Sequence, residues 1–293
     1  SLRLIPLGGF CAFEGEDQEK DDIHAFNNQK PWKRIIVLLS GVTANFLFSL
    51  LLCIIIFSTA GMFFPKAMEV YPDDTVTVSE EYKLKEGDLI LAVEGKYLYL
   101  RYDLQDALKN VPQDREVRLT VVREGQRQDV NVIKRDYKYT DEEGKEHTAT
   151  GLGISQGFDA YRLGFFEAVG KGAVYCFKMA GVILGFFGQL ITGKVSLSSI
   201  GGPITTIGYT AEIASKGLHP LLEIVTLISV NLAVFNVLPI PALDGSRIVF
   251  VIIEWIRKKP ISREIEGKIH TVGLIALFAF VILVDLLQLF QHF

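Results

Sequence analysis

N-V-L-P-I-P-A-L-D-G, residues Asn236 to Gly245, closes an uncharged run that extends from Ile224 to Leu243 and ends in an acid, Asp244. Pro239 and Pro241 each remove a backbone donor and crowd the preceding turn, so a helix entering this stretch has to come undone here. Opened backbone at membrane depth is tolerated only where protein or water covers it. A central transmembrane aspartate costs roughly 2.5 to 3.5 kcal/mol on insertion scales. Asp244 is therefore expected either to reach water or to be held by a partner such as a metal ion. The plainer alternative has it mark the membrane exit beside Arg247.

The rest of the chain reads as a multi-pass α-helical membrane protein with an inserted, mainly β domain. Hydrophobic residues make up 49% of the sequence and mean hydropathy is +0.29, gathered into a few runs rather than spread along amphipathic faces. Residues 35–64 carry no charge between Arg34 and Pro65 and are long enough for a transmembrane helix, which needs about 20 residues. Two more spans are expected at Leu221 to Leu238 and at Ile269 to Leu289, within a segment 221–293 that carries the proline-broken motif. The apolar stretch Met179 to Gly193 is short for a crossing and is expected to lie at the interface or re-enter, inside an extracytoplasmic segment 158–220. Basic residues precede the first span (Lys30, Lys33, Arg34) and follow the second (Arg247, Arg257, Lys258, Lys259, Arg263, Lys268), which places both groups in the cytoplasm. Residues 1–34 then form a cytoplasmic or membrane-associated hairpin and loop. A formal charge of −4 gives no case for nucleic acid. Cys11, Cys53 and Cys176 lack the C-x-x-C spacing and are expected as buried thiols.

Between residues 66 and 157 hydrophobic and charged residues interleave, and the expected elements are strands at Leu89 to Val93, Val117 to Val122 and Val130 to Ile133 with a helix at Leu104 to Asn110. Glu143-Gly144 suits the turn of a hairpin between the Tyr137 and Thr148 sides. K-L-K-E-G-D-L-I-L-A-V-E-G-K (Lys83 to Lys96), followed by that helix and by V-R-L-T-V-V-R-E-G (Val117 to Gly125), resembles a PDZ domain. The resemblance implies a peptide or protein ligand added as a strand at a sheet edge, with a backbone nest for a terminal carboxylate. A β spacer domain is the alternative. Near the start of the chain, Leu4, Ile5, Pro6 and Leu7 followed by Gly8 and Gly9 suit a hairpin that accepts a substrate as an added strand.

In chain order, R-L-I-P-L-G-G-F (Arg3 to Phe10), S-G-V-T-A-N (Ser40 to Asn45), the PDZ-like stretch, S-S-I-G-G-P (Ser198 to Pro203) and N-V-L-P-I-P-A-L-D-G resemble the site-2 protease family of intramembrane zinc metalloproteases, in the bacterial branch related to the regulator of sigma-E protease. One departure is Gly41-Val42, where the family has Gly-Pro. The resemblance implies that Asp244 is a ligand of Zn2+ and that Asn236, Pro239 and Gly245, with Leu4 to Gly9, position the substrate. It also implies single-span membrane proteins as substrates, such as an anti-sigma factor or a signal-peptide remnant, and a multi-pass place among the lipids of the bacterial cytoplasmic membrane.

The family takes its other two ligands and its general base from H-E-x-x-H, whose spacing puts both imidazoles on one helical face. No such motif occurs here. His24, His147, His219, His270 and His292 include no pair three to five apart. His24 and His147 are expected to be solvated or structural, His219 and His270 interfacial. One expectation is that the motif lies ahead of Ser1 and that these residues are inactive alone; a homologue that never had it is the other. Two rival classes differ in what they need. A membrane-anchored PDZ-like peptide binder has no use for a broken helix bearing an acid, and a transporter normally shows paired repeats, which the unequal apolar segments do not form.

Overall fold

The computed structural model describes residue 22 and residues 25–71, 83–140, 144–196 and 201–291. The chain divides into two compact units, Cys53–Lys178 and Ser1–Leu52 with Met179–Phe293.

Helix α1 runs Pro31–Thr59, with proline at its first position, where the missing donor has no helical partner to lose. It ends earlier than residue 64 because Gly61 adopts φ +108°, a conformation that favours glycine, and a β-carbon there would come within 2.8 Å of the Tyr161 backbone. Met62 to Phe64, apolar enough to be read as the end of a span, instead open strand β1 (Met62–Val70), where Met62 and Phe64 are buried.

The first unit is built on the sheet. Strands β2 (Leu89–Val93), β3 (Lys96–Tyr97), β4 (Glu116–Arg123), β5 (Gln126–Ile133) and β8 (Ile154–Tyr161) join β1 in the order β5-β4-β2-β1-β8, with β3 on β2. Each of these pairings is antiparallel, with Lys66 opposite Leu89 and Leu119 opposite Val130. Helix α2 (Asp103–Lys109) contributes Leu104 to a core with Ile90, Val117, Leu119, Val121 and Ile154. The two sides of the expected hairpin pair as β6 (Arg135–Thr140) and β7 (Glu146–Gly151), with Tyr137 opposite Ala149, while Glu143 of the expected Glu143-Gly144 turn lies outside the described residues. Immediately before β2, the wholly buried Asp88 takes two hydrogen bonds from Arg123, 2.8 Å from Nε and 2.6 Å from Nη2.

Helix α3 (Phe165–Ile191) is where the sequence reading fell short. Thirteen of the fifteen apolar residues from Met179, those up to Ile191, are the second half of a 27-residue helix, whose first half was masked by Glu167, Lys171 and Lys178. Cys176 of α3 and Cys53 of α1 are both buried, as expected, with their sulfurs 3.7 Å apart.

The second unit holds α4 (Pro203–Ser215), α5 (Leu218–Val237), α6 (Asp244–Arg257) and α7 (Arg263–Gln291). Among the described residues four helices are long and apolar enough to cross a membrane: α1, α3, α5 and Glu264–Gln288 of α7. Val272, Ile275 and Phe278 on α7 are all more than 60% exposed, an apolar surface that suits lipid and not water. Gly202, just ahead of α4, lies so close to Asp285 of α7 that a β-carbon would overlap its carboxylate, so this acid packs against a neighbouring helix start.

Candidate functional site

The proline-broken stretch is open, as its prolines require. Helix α5 stops at Val237, and six residues pass before α6 begins at Asp244 itself. Within them the Leu243 amide donates to the Ile240 carbonyl at 3.1 Å, closing a four-residue turn whose inner positions are Pro241 and Ala242. Ala242 has φ +81°. Proline second and a positive φ third are the marks of a type II turn, in which the third place favours glycine or asparagine. Ala242→Gly should therefore raise the melting temperature slightly, by an amount equivalent to about 0.5–1 kcal/mol, since relief of the left-handed strain outweighs glycine's added unfolded-state freedom.

Around that turn the helix ends close on one another. A β-carbon on Gly245 would overlap the carbonyl oxygens of Val237 and Leu238, so only glycine lets α6 start against the last turn of α5, where Asn236 sits half-buried. Pro239 is exposed. Ser246 donates through both its amide (3.1 Å) and its hydroxyl (2.8 Å) to the Leu243 carbonyl, fixing the first turn of α6. From α7, His270 Nδ1 accepts a hydrogen bond from the Ala242 amide at 3.1 Å, and Pro241 fills the notch left by Gly273.

Asp244 is thus the first residue of a helix, half-buried, where the unpaired amides and the helix dipole favour an anion. Among the described residues no hydrogen bond or ion pair engages its carboxylate. Nor, among them, do three or more histidine, cysteine or acidic side chains gather as a metal site would need. The residues described fit zinc as the holder of one oxygen ligand, not as a complete set. Leu4, Ile5, Pro6, Leu7, Gly8 and Gly9 lie outside the described residues, as do His24 and His292. His219 faces Glu223 one turn on, at 3.7 Å, and His147 stacks on Tyr139 in the β6–β7 hairpin.

A second candidate lies in the sheet unit. A cleft of 370 Å³ separates α2 from β8, lined by Leu104, Gln105 and Leu108 on one side and Leu152, Ile154 and Gln156 on the other. Strand β8 ends the sheet path. Just before it, G-L-G-I (Gly151 to Ile154) turns through Gly153 at φ +68°, and the Arg135 guanidinium lies against Gly153, where a β-carbon would stand 2.9 Å from Nη2. The sequence reading had the helix but missed this loop. A Gly-x-Gly followed by the alternating I-S-Q-G-F was the available signal.

Comparison with known proteins adds the following. Regulator of sigma-W protease RasP of Bacillus subtilis is 30% identical over 94% of this chain, which spans 64% of that protein's length. Zinc metalloprotease RasP of Geobacillus kaustophilus is 29% identical over 93% of this chain and is spanned to 63%. The Nostoc protein all3971, provisionally named a zinc metalloprotease, is 32% identical over 94% of this chain and is spanned to 78%. The PDZ domain of the SdrC-like protein from Listeria monocytogenes matches 32% of this chain and 86% of its own at 17% identity and a TM-score of 0.23, a likeness too slight to add to the strand order above. The family model for Peptidase family M50 matches residues 1–280. The chain accordingly belongs to the M50 peptidases, the site-2 protease family.

Proposed function

We propose that this chain is the larger part of an intramembrane zinc endopeptidase that cuts the transmembrane segments of single-span membrane proteins, with the H-E-x-x-H helix supplied from outside these 293 residues. The observation that carries the reading is Asp244: a carboxylate without a hydrogen bond among the described residues, at the first residue of a helix that begins where α5 has unwound. Zinc, when bound, polarises a scissile carbonyl and acidifies its water. Asp244 would supply one oxygen ligand. Asn236, at the opened end of α5, would offer its amide to the backbone of an extended substrate, because a helical one hides each carbonyl in its own hydrogen-bond ladder. The named relatives are bacterial, and by family the place of action is the cytoplasmic membrane. The test is Asp244→Asn in the protein expressed from its complete gene, read by zinc retention and by cleavage of a single-span substrate.

One contact supports the proposed orientation. Arg34 at the start of α1 lies 2.6 Å from Glu254 near the end of α6, which supports placing both basic clusters at one membrane face. An even number of crossings must separate them. In this reading α1 and α5 are the two crossings, α3 lies along the interface with its exposed Phe166 and Phe177 toward the apolar boundary, and the sheet unit is extracytoplasmic.

The sheet unit is proposed to be PDZ-like and to take an extended peptide along β8, its apolar end residue in the cleft beside α2 and its carboxylate at the Gly151–Ile154 loop, near the Arg135 cation. In the full-length protein a fluorescent peptide ending in valine with a free carboxylate should bind, and amidation of that end should weaken it about tenfold, the loss of one charge-assisted interaction. Gln105→Trp, which fills the cleft mouth from an exposed position, should do the same without lowering the melting temperature. Equal binding of the amidated peptide would leave the unit a spacer.

A further inference from the structure

We propose that His270 is a positioning residue for the Asp244 carboxylate, acting through the Ala242 amide. This rests on the reading that Asp244 holds zinc. Types I and II of a β-turn differ in the flip of the central peptide, here the bond between Pro241 and Ala242, and the flip decides where the Ala242 N–H points. Left to itself, alanine with φ +81° disfavours the flipped form by about 1–2 kcal/mol. The imidazole opposes that preference, since its Nδ1 accepts the Ala242 N–H at 3.1 Å and has an acceptor lone pair only with the ring proton on Nε2. The ring is steadied edge-on against Phe250 of α6, with centroids 5.8 Å apart.

One turn further along α7, Gly273 receives Pro241, whose carbonyl oxygen would stand 2.9 Å from any β-carbon there. His270 and Gly273 are three residues apart and share a helix face, so H-x-x-G on α7 forms a cradle for both inner residues of the turn. Asp244 directly follows the turn, two residues beyond Ala242. Its carboxylate has no hydrogen bond among the described residues, so its direction is set by the backbone beneath it, and that backbone is set by the cradle.

The experiment uses the full-length protein in lipid nanodiscs, with His270→Leu to remove the acceptor and His270→Asn to restore one, the asparagine Oδ1 standing near the place of Nδ1. Three quantities are read: amide exchange over residues 240–245, zinc retention against a chelator, and kcat and KM for a single-span substrate. His270→Leu should speed exchange and lower zinc affinity and kcat by about 10- to 100-fold with KM little changed, the usual loss when a group supporting a metal ligand is removed. His270→Asn should recover all three to within about threefold, a difference of under 1 kcal/mol. Wild-type exchange in His270→Leu overturns the proposal, and so does a loss that His270→Asn fails to restore, because the defect is then one of packing. Asp244→Asn separates the two readings. If it keeps zinc and cleavage, the metal-site reading fails; if it loses both while His270→Leu is unaffected, only the His270 assignment falls.

Discussion

Asp244→Asn in the full-length protein should lower zinc retention and substrate cleavage by at least about 100-fold while leaving the protein folded. The size of the effect follows from ligand number. A catalytic zinc is held by about three protein ligands, and replacement of a carboxylate by a neutral amide removes both a donor and a negative charge from the set; even supporting residues outside the ligand shell typically cost 10- to 100-fold. The selectivity follows from the surroundings. Among the described residues the carboxylate makes no hydrogen bond, and asparagine matches its volume, so what the fold loses is the attraction between an anion and the start of α6, about 0.3–1 kcal/mol. The melting temperature should therefore move by no more than a few degrees. Chelator treatment of the wild-type protein should reproduce the loss of cleavage, and added zinc should reverse it only in the wild type. A variant that retains zinc and activity would return Asp244 to the role of a membrane-exit residue.

How far such a site can be read from sequence depends on which residues speak locally. Proline does: Pro239 and Pro241 announce an opened helix without any tertiary contact, and the break between Val237 and Asp244 follows from their missing donors. Strand alternation does too, and β2 has the expected bounds, Leu89 to Val93. What stayed hidden depends on packing between distant segments. Met62 to Phe64 are as apolar as the span before them, and only the approach of Tyr161 to Gly61 shows that the helix has already ended. Helix α3 was shortened because Glu167, Lys171 and Lys178 interrupt its hydropathy; Glu167 is held by Arg127 at 2.8 Å and Lys178 by Asp103 at 2.7 Å. His270 looked like an ordinary histidine in an apolar helix. Its partner, the Ala242 amide, is 28 residues away, and nothing local marks the pairing.

Glu254→Ala should be among the most destabilising single substitutions in the helical unit, lowering the melting temperature in detergent by about 5–15 °C, the equivalent of roughly 3–5 kcal/mol. The reason is what it leaves behind. Glu254 Oε2 lies 2.6 Å from Arg34 Nη1, and both side chains are less than 10% exposed. Glu254 Oε1 meanwhile accepts the Ile261 amide at 3.0 Å, beyond the left-handed Lys258 that ends α6. Removal of the glutamate strands a buried guanidinium and an amide at once, whereas Glu254→Gln keeps one carbonyl acceptor, enough for one of the two donors, and should cost less. A pair removed together behaves differently. Taking charges out of water consumes most of what their attraction returns, so Arg34→Met combined with Glu254→Met should melt closer to wild type than Glu254→Ala does, and the double-mutant cycle should show strong coupling. Because the pair joins the start of α1 to the end of α6, Glu254→Ala should also loosen the helix whose first residue is Asp244, so zinc retention should fall in parallel with stability and recover in the double variant. Additive losses in the cycle would mean that Arg34 and Glu254 are each satisfied by other groups.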